Sequence, residues 1–229
     1  MTTVDKPTSR AVYDAGRLMF QLLFRSLTKL ETMGVENVPR QGACLMVINH
    51  LSIADPALIC ATNPRQCLMF VADKWKHVPV VSHISNTFGV IWVARGEVDR
   101  TALKDSLDFL KAGWMLGIAP EGQRSRSGIL QAGKPGAAYL ADRAHVPILP
   151  VAMMGTETIS SNLKRRRRAP VKCVYGKPFR LPTNGRAHAD ELDKMTDLIM
   201  CHLAALLEPQ YRGAYADHPR LKELLAAQA

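Results

Sequence analysis

Short apolar runs alternate with helical segments from about residue 40 of this chain onward. Each run is four to six residues long and almost wholly apolar, which is typical of strands buried on both faces of a largely parallel sheet. The predicted strands are residues 43–48, 67–72, 90–93, 116–119, 148–152 and 171–175. The alternation predicts an α/β fold with a mainly parallel or mixed sheet flanked by helices.

Helical patterns occupy the stretches between these runs. The clearest is 99–112, where Asp99 can cap the first turn, leucines recur on one face and Gly113 follows the last turn. A longer helix is predicted near residues 190–207. Because α/β proteins bind ligands just beyond the ends of their strands, the polar residues that follow each strand are the candidates for a site.

The first 34 residues contain an apolar segment with a narrow polar stripe. On a helical projection the polar side chains from Arg10 to Thr28 fall within about 80° of one another, and apolar residues occupy the remainder. Such a helix hides its surface either under the fold or in a bilayer interface. The second interpretation predicts an amphipathic membrane-contact helix at 1–34, preceding an α/β domain at 35–229. No run of 18 apolar residues predicts a bilayer-spanning helix.

The positive charge of the chain is concentrated in one stretch. The 229 residues include 30 basic and 20 acidic side chains, a net charge of +10. Residues 158–189 hold nine of the basic side chains and no acidic one, so the rest of the chain is close to neutral. A solvated loop is the simplest interpretation of this stretch. Nucleic-acid binding is disfavoured, because only Tyr175 and Phe179 accompany the basic residues as stacking partners.

Three loops after predicted strands carry candidate chemistry. In the first, Asp55 follows His50 by five residues, so the carboxylate could accept the imidazole Nδ1–H and leave Nε2 to take a proton. Positions five apart diverge by about 140° on a helix, so the pair meets only if His50 precedes the helix that Asp55-Pro56 begins. The alternative is that Asp55 only caps that helix.

The other two loops carry basic residues suited to an anion. Arg95 stands beside Gly96 after the strand 90–93, which lets a guanidinium approach an anion closely, or alternatively forms a surface salt bridge. The loop 119–128 combines one carboxylate, two arginines, two serines and three glycine or proline residues. It suits binding of a phosphate while Glu121 holds a hydroxyl, or alternatively is a solvated turn.

Several other classes of enzyme lack an essential residue. Gly128–Lys134 matches the GxxxxGK of a P-loop, but Pro135 replaces the required Ser or Thr and no strand directly precedes it. The chain has no G-x-S-x-G motif for an α/β-hydrolase serine. The five cysteines include no C-x-x-C pair, which favours neither a zinc module nor a disulfide framework.

Four blocks of sequence, taken in order over about residues 35–180, resemble the motifs of the glycerolipid acyltransferase (PlsC-like) family. That family includes lysophosphatidic acid and glycerol-3-phosphate acyltransferases. The blocks are Asn49-His50…Asp55 (NHxxxxD), Gly89…Trp92-Val93-Ala94-Arg95 (GxxΦVxR), Pro120-Glu121-Gly122-Gln123-Arg124-Ser125 (PEGxRS) and Val146-Pro147-Ile148-Leu149-Pro150. Gln123 stands where the family usually has Thr, and Ala119 where an aromatic residue often precedes the proline, which leaves the acceptor open.

The resemblance implies a catalytic dyad of His50 and Asp55, and a fourth block shaped by Pro147. The residues that it implies for recognition of the acceptor phosphate are Arg95, Glu121, Gly122, Arg124 and Ser125. The implied reaction transfers a fatty acyl group from acyl-CoA or acyl carrier protein to the hydroxyl of lysophosphatidic acid, giving phosphatidic acid. His50 is the general base, and neither a metal nor a permanently bound cofactor is expected.

Alternatives to this reaction stay open at the level of the sequence. Glycerol 3-phosphate or another lysolipid is the next acceptor to consider, and a thioesterase or a basic membrane- or nucleic-acid-binding protein is less favoured. A hydrolase has no acceptor phosphate for Arg95 and Arg124 to hold. The expected location is peripheral or monotopic on the cytoplasmic face of a membrane with anionic lipid, with no nucleic-acid partner. The residues expected to dock to that membrane or to the donor are Arg165, Arg166, Arg167, Arg168 and Lys172.

Overall fold

The computed structural model describes residues 4–5, 9–94, 99–182 and 185–227. The strands are β1 (Val4–Asp5), β2 (Thr28–Met33), β3 (Cys44–Ile48), β4 (Leu68–Ala72), β5 (Val90–Val93), β6 (Met115–Ile118), β7 (Ile148–Met154) and β8 (Ala169–Tyr175). The helices are α1 (Arg10–Leu27), α2 (Asp55–Thr62), α3 (Pro79–Phe88), α4 (Arg100–Lys111), α5 (Gly136–Ala144), α6 (Ile159–Lys164), α7 (Ala189–Leu206) and α8 (Pro219–Ala226).

Within the described residues, all eight strands form one mixed sheet in the order β1-β5-β4-β6-β3-β7-β8-β2. The five strands from β5 to β7 run parallel to one another. At one side β8 pairs antiparallel with β7, and β2 pairs parallel with β8. The predicted mixed α/β fold, with a helix in its N-terminal segment, is therefore confirmed.

Alternate residues of the central strand β3 face the two layers of helices. Every residue of this strand is buried. Cys44, Met46 and Ile48 pack into the core formed with α1, α2 and α3. Leu45 and Val47 pack into the core formed with α4, α5 and α7. Burial on both faces explains why the strand contains no polar residue.

The predicted N-terminal helix ends earlier than expected. Helix α1 stops at Leu27, and residues 28–33 form the edge strand β2, in register with β8 from Thr28 opposite Ala169 onward. Thr28 is already extended, and its hydroxyl donates to the carbonyl of Phe24. The ladder with β8 supplies backbone partners that a longer helix would have to supply itself. The boundary predicted at residue 34 therefore assigns a strand of the sheet to the N-terminal segment.

Helix α1 has two unlike apolar faces. Tyr13, Phe20 and Phe24 are buried, and the rings of Tyr13 and Phe20 each contact the ring of Phe88 in α3. The opposite side of the helix carries five apolar side chains that are each 46–55% exposed, namely Val12, Leu18, Met19, Leu22 and Leu23. Core packing thus accounts for a narrow stripe of the helix and leaves a wide apolar face in solvent. In the described part of the chain, no helix has the length and hydropathy needed to cross a bilayer.

The parts of the chain with candidate chemistry lie at one edge of the sheet, meaning here the side on which the central strands end and not an outer strand. The carboxyl ends of the five parallel strands meet there. Because β8 runs antiparallel to β7, its first residue, Ala169, lies at the same edge, as does the junction of α1 with β2. The loop containing His50 and the basic turn at 165–167 therefore share one edge of the molecule.

Candidate active site

The imidazole of His50 contacts the carboxylate of Asp55 at the carboxyl end of β3. His50 lies in the loop before α2, which begins at Asp55. Because His50 precedes the helix, the two side chains can meet despite their five-residue spacing. Nδ1 of His50 is 2.8 Å from Oδ2 of Asp55. The same oxygen accepts the backbone N–H groups of Leu51 and Ser52, each at 2.7 Å. Three partners thus hold one oxygen of a fully buried carboxylate.

This arrangement determines which nitrogen of His50 is available. When Nδ1–H donates to Asp55, the other ring nitrogen, Nε2, carries the free lone pair. The His50 side chain is 19% exposed, whereas that of Asp55 is inaccessible. A base with one nitrogen held inside the protein and the other reachable from outside suits abstraction of a proton from a bound hydroxyl.

Asn49 fixes the end of the strand that carries His50. Its side-chain amide donates to the carbonyl of Met153 and accepts the N–H of the same residue, both at 2.7 Å. This reciprocal pair joins β3 to β7 directly beside the catalytic candidate. The sequence includes Asn49 in a recognised motif without indicating its role. The sequence signal that could have indicated this role is an amide residue directly after an entirely apolar strand.

Glu121 and Ser125 hold both backbone polar groups of His50. The His50 N–H donates to Oε1 of Glu121 at 2.8 Å, and the N–H of Ser125 donates to the His50 carbonyl at 2.7 Å. Oε2 of Glu121 accepts the N–H of Gln131 at 2.9 Å. The Ser125 hydroxyl donates to the carbonyl of Ile129. These contacts fix the position of His50 from a loop 71 residues further along the chain.

The predicted phosphate-binding role of Glu121 and Ser125 is therefore corrected. Both residues are buried, and their polar atoms are already bonded to backbone groups. Burial raises the pKa of Glu121 to about 7, against the effect of its two N–H donors. A carboxylate so enclosed acts on the position of the base and is not presented to an acceptor.

The remaining residues predicted to bind phosphate have different surroundings. Gly122 is exposed and has a φ of +69°, in the left-handed region. Arg124 is exposed beside it. Arg95 lies outside the described residues.

Pro147 does not shape this site, because it precedes the first residue of β7 at the opposite edge of the sheet, where its carbonyl accepts the N–H of Leu45.

A cavity of about 900 Å³ has His50 in its wall. It lies between the sheet and helices α4 and α5, and most of its lining is apolar. The apolar side chains of the lining are Phe70, Ala72, Val93, Ala94, Ala102, Leu103, Leu107, Ile118, Ala119, Pro120, Pro135, Ala137, Tyr139 and Leu192. The cavity is long enough along α4 to pass from Arg100 at the first turn to Leu107 two turns further on. It suits an extended hydrocarbon chain.

Two cations of the basic stretch, those of Arg168 and Lys172, have bonding partners within the protein. Arg165, Arg166 and Arg167 are exposed. The guanidinium of Arg168 donates to the carbonyl of Arg25, in the last turn of α1, and to that of Thr28, the first residue of β2. Lys172 forms an ion pair with Glu208 at 2.7 Å. Both cations thus have partners within the protein, yet Arg168 is exposed and the Lys172 side chain is 33% exposed, so their docking role stays a prediction.

A second group of potential catalytic side chains lies near the C-terminus. The Sγ atom of Cys201 is 3.3 Å from Nδ1 of His218, whose Nε2 is 3.8 Å from Asp197. Cys201 is fully buried, and burial raises the pKa of its thiol to about 11. Nδ1 of His218 also accepts the N–H of Arg220, as the cap of α8. A protonated thiol beside a helix cap is a structural arrangement and lacks an activated nucleophile.

Comparison with known proteins gives a family match over much of the chain. A family model described as Acyltransferase matches residues 29–154. The chain is 27% identical over 130 residues to the 1-acyl-sn-glycerol-3-phosphate acyltransferase of Borreliella burgdorferi, covering 56% of this chain and 52% of that protein. It is 31% identical over 137 residues to a chloroplastic 1-acyl-sn-glycerol-3-phosphate acyltransferase of Brassica napus, covering 57% and 39%. The chain thus spans about half or less of the length of these relatives.

A solved structure shares the fold. The crystal structure of the 1-acyl-sn-glycerophosphate acyltransferase PlsC from Thermotoga maritima superposes with a TM-score of 0.64 at 23% identity, over 81% of this chain and 75% of that one. The match of the family model to more than half of the chain includes His50, Asp55 and the loop of Glu121. Together with the geometry of those residues, it shows that the chain belongs to the acyltransferase family.

Proposed function

We propose that this protein transfers a fatty acyl group from an acyl thioester to the hydroxyl of lysophosphatidic acid, giving phosphatidic acid. One observation carries the proposal: His50, oriented by Asp55 at 2.8 Å, lies in the wall of a large apolar cavity. Family membership supports acyl transfer as the reaction. The names of the Borreliella and Brassica relatives support the choice of acceptor.

The proposed chemistry uses His50 as a general base. Nε2 takes the proton of the acceptor hydroxyl while the hydroxyl oxygen bonds to the thioester carbonyl carbon. The resulting tetrahedral intermediate expels the thiolate as the C–S bond breaks, and the imidazolium returns its proton to the sulfur. Asp55 stabilises the imidazolium and keeps the ring in the required tautomer. Because a thiolate leaves readily, no covalent acyl-enzyme is needed.

The apolar cavity is the proposed site of the acyl chain of the donor. Its lining offers dispersion contacts and excludes water along α4 and α5, as burial of a hydrocarbon chain requires. The same exclusion of water disfavours hydrolysis of the thioester. The donor is acyl-CoA or acyl carrier protein, either of which presents a thioester at the end of a flexible arm. Arg124, exposed beside Gly122, and Arg95 are proposed to contact the phosphate of the acceptor.

We also propose that the protein is peripheral or monotopic on an anionic membrane surface, on the face with access to thioester donors. The apolar face of α1 would enter the interface, since it carries five large side chains about half exposed. Arg165, Arg166 and Arg167 lie at the edge of the sheet where α1 ends. Each basic residue near an anionic surface contributes about 1 kcal/mol of attraction. Lysophosphatidic acid, a membrane lipid, would reach the site from that surface.

An acceptor screen tests the proposed reaction. Purified protein would be incubated with acyl-CoA and with lysophosphatidic acid, glycerol 3-phosphate, monoacylglycerol or no acceptor, and free thiol would be measured together with the lipid product. We expect thiol release that depends on lysophosphatidic acid and is lost in His50→Ala. Thiol release without any acceptor would instead identify a thioesterase. Faster transfer to glycerol 3-phosphate would identify the other acceptor of the family.

A further inference from the structure

Lys134 is a cation of the cavity that the reaction described so far does not use. It belongs to the GxxxxGK segment, which lacks the hydroxyl residue of a P-loop. Lys134 nevertheless lines the same cavity as His50, beside Gly122 and Gln123. The position of Lys134 in this cavity therefore needs an explanation other than nucleotide binding.

The backbone of Lys134 is held against the loop that positions His50. Its N–H donates to the carbonyl of Pro120 at 2.8 Å, and the N–H of the preceding Gly133 donates to the hydroxyl of Tyr215 at 3.1 Å. The residue after Pro120 is Glu121, which binds the backbone N–H of His50. Two successive hydrogen bonds therefore relate the position of Lys134 to that of the base.

The side chain of Lys134 crosses Gly122. A Cβ atom built on Gly122 would lie 3.1–3.2 Å from Cδ, Cε and Nζ of Lys134. These distances are shorter than ordinary van der Waals contact, so a larger residue at 122 would displace the lysine. Gly122 thus serves the conformation of the loop and also leaves room for the ammonium group at the cavity wall.

The charges around the cavity leave Lys134 available to an anion. Besides His50, the lysine and arginine side chains among the described lining are Arg100, Lys104 and Lys134. Lys104 donates to Asp108, and the described carboxylate of the lining, Asp99, accepts the N–H groups of Ala94 and Ala102 as a helix cap. None of the ion pairs among the described residues includes Lys134. An ammonium group on a flexible four-carbon stem is well suited to a phosphate.

We propose that Nζ of Lys134 binds the phosphate of the acceptor and so places the acceptor hydroxyl at Nε2 of His50. In lysophosphatidic acid the phosphate ester and the free hydroxyl are on adjacent or nearby carbons of glycerol, so a cation in the same cavity wall as the base can hold one while the other reacts. The inference rests on the proposed function. It makes Lys134 a binding residue in addition to the exposed Arg124.

Kinetics with matched acceptors test this assignment. Lys134→Met keeps the unbranched stem and removes the charge, whereas Lys134→Arg keeps the charge. We expect Lys134→Met to raise the KM for lysophosphatidic acid about tenfold or more, the effect of one lost charge-assisted hydrogen bond. The KM for acyl-CoA should not change, nor should transfer to monoacylglycerol, and Lys134→Arg should retain most of the preference for lysophosphatidic acid. Lys111→Met, on the exposed last turn of α4, is the control.

Two results would overturn the assignment. If the KM for acyl-CoA rose and that for the acceptor did not, Lys134 would bind a phosphate of the donor. If neither changed, it would bind neither. Calorimetric binding of a short-chain lysophosphatidic acid to His50→Ala, with and without Lys134→Met, separates this inference from the proposed reaction. Lysine-dependent binding without turnover in the wild type would support Lys134 and contradict acyl transfer, whereas equal binding by both variants would contradict Lys134 alone.

Discussion

Glu121 holds the backbone N–H of His50 at 2.8 Å, although the two residues are 71 positions apart. The carboxylate also binds the N–H of Gln131, so it joins the strand that carries the base to the loop before α5. The loop that follows β6 is therefore a support for the loop that follows β3. Several measurable properties depend on this support and on the cavity beside it.

Replacing Glu121 by Gln should lower kcat and leave the KM for the acceptor unchanged. The amide can accept only one of the two N–H bonds and directs its own N–H groups at the other donor, so the His50 loop loses an anchor. We expect a fall in kcat of about 10-fold to 100-fold, corresponding to about 1–3 kcal/mol for a buried donor left unpaired. Steady-state kinetics check this. A large rise in the acceptor KM at unchanged kcat would instead favour direct contact of Glu121 with the acceptor.

The same variant should change how stability depends on pH. The pKa of Glu121 is raised from 4.5 in the unfolded chain to about 7 in the fold, mainly by burial. A raised pKa means that the contribution of this group to stability is present below pH 4.5 and is lost as pH rises through 7. Urea unfolding at pH 5 and pH 8 should show wild type losing up to about 3 kcal/mol relative to Glu121→Gln. Parallel pH profiles of the two proteins would contradict this assignment of the titration.

Asp55→Asn should inactivate the enzyme without unfolding it. An amide at this position cannot accept from His50, Leu51 and Ser52 with one oxygen while keeping the imidazole in the tautomer that leaves Nε2 free. We expect kcat to fall about 10²- to 10⁴-fold, the range of general-base catalysis. Circular dichroism and the midpoint of thermal unfolding serve as controls for the fold. Turnover within threefold of wild type would exclude Asp55 as the residue that orients the base.

Leu107→Phe should shorten the preferred acyl chain. Leu107 lines the cavity two turns along α4 from Arg100, so a larger side chain there reduces the depth and leaves the region near His50 unchanged. We expect kcat/KM for long-chain acyl-CoA to fall about tenfold or more, since overpacking costs about 1–3 kcal/mol, with little change for medium-chain donors. A uniform loss over all chain lengths would place the acyl chain elsewhere.

Two sets of substitutions separate the apolar and electrostatic parts of the proposed membrane contact. Leu18→Gln with Leu22→Gln removes exposed apolar side chains of α1 and should reduce binding to neutral and anionic vesicles alike. Replacing Arg165, Arg166 and Arg167 by Gln should reduce binding to anionic vesicles only, by about tenfold or more. Vesicle sedimentation measures both, with Lys222→Gln as the control for loss of a single charge. Unchanged sedimentation of the leucine variant would exclude α1 as the contact.

The sequence predicted the central strands from local patterns, and it predicted the contact of His50 with Asp55 from their spacing together with the family resemblance. Fully apolar runs identify buried parallel strands, and the Asp55-Pro56 pair identifies where α2 begins. Strand β2 escaped prediction because the helical pattern of α1 runs on through Leu30, and because the partner strand β8 is far along the chain, with Ala169 opposite Thr28. The role of Glu121 was also missed. A carboxylate among glycines after a strand resembles a ligand contact, and only the folded chain reveals that its partners are backbone N–H groups.

Thr28 both ends helix α1 and begins strand β2, so no linker separates the helix from the sheet. The guanidinium of Arg168, the residue before β8, donates to the carbonyl of Thr28 at this junction. The angle between α1 and the sheet is therefore built into the fold. On a bilayer that takes up the apolar face of α1, the height of His50 above the lipid would be constant from one encounter to the next. The depth of the acceptor hydroxyl in the membrane would then determine which lysolipids react, favouring those whose hydroxyl lies at the level of His50.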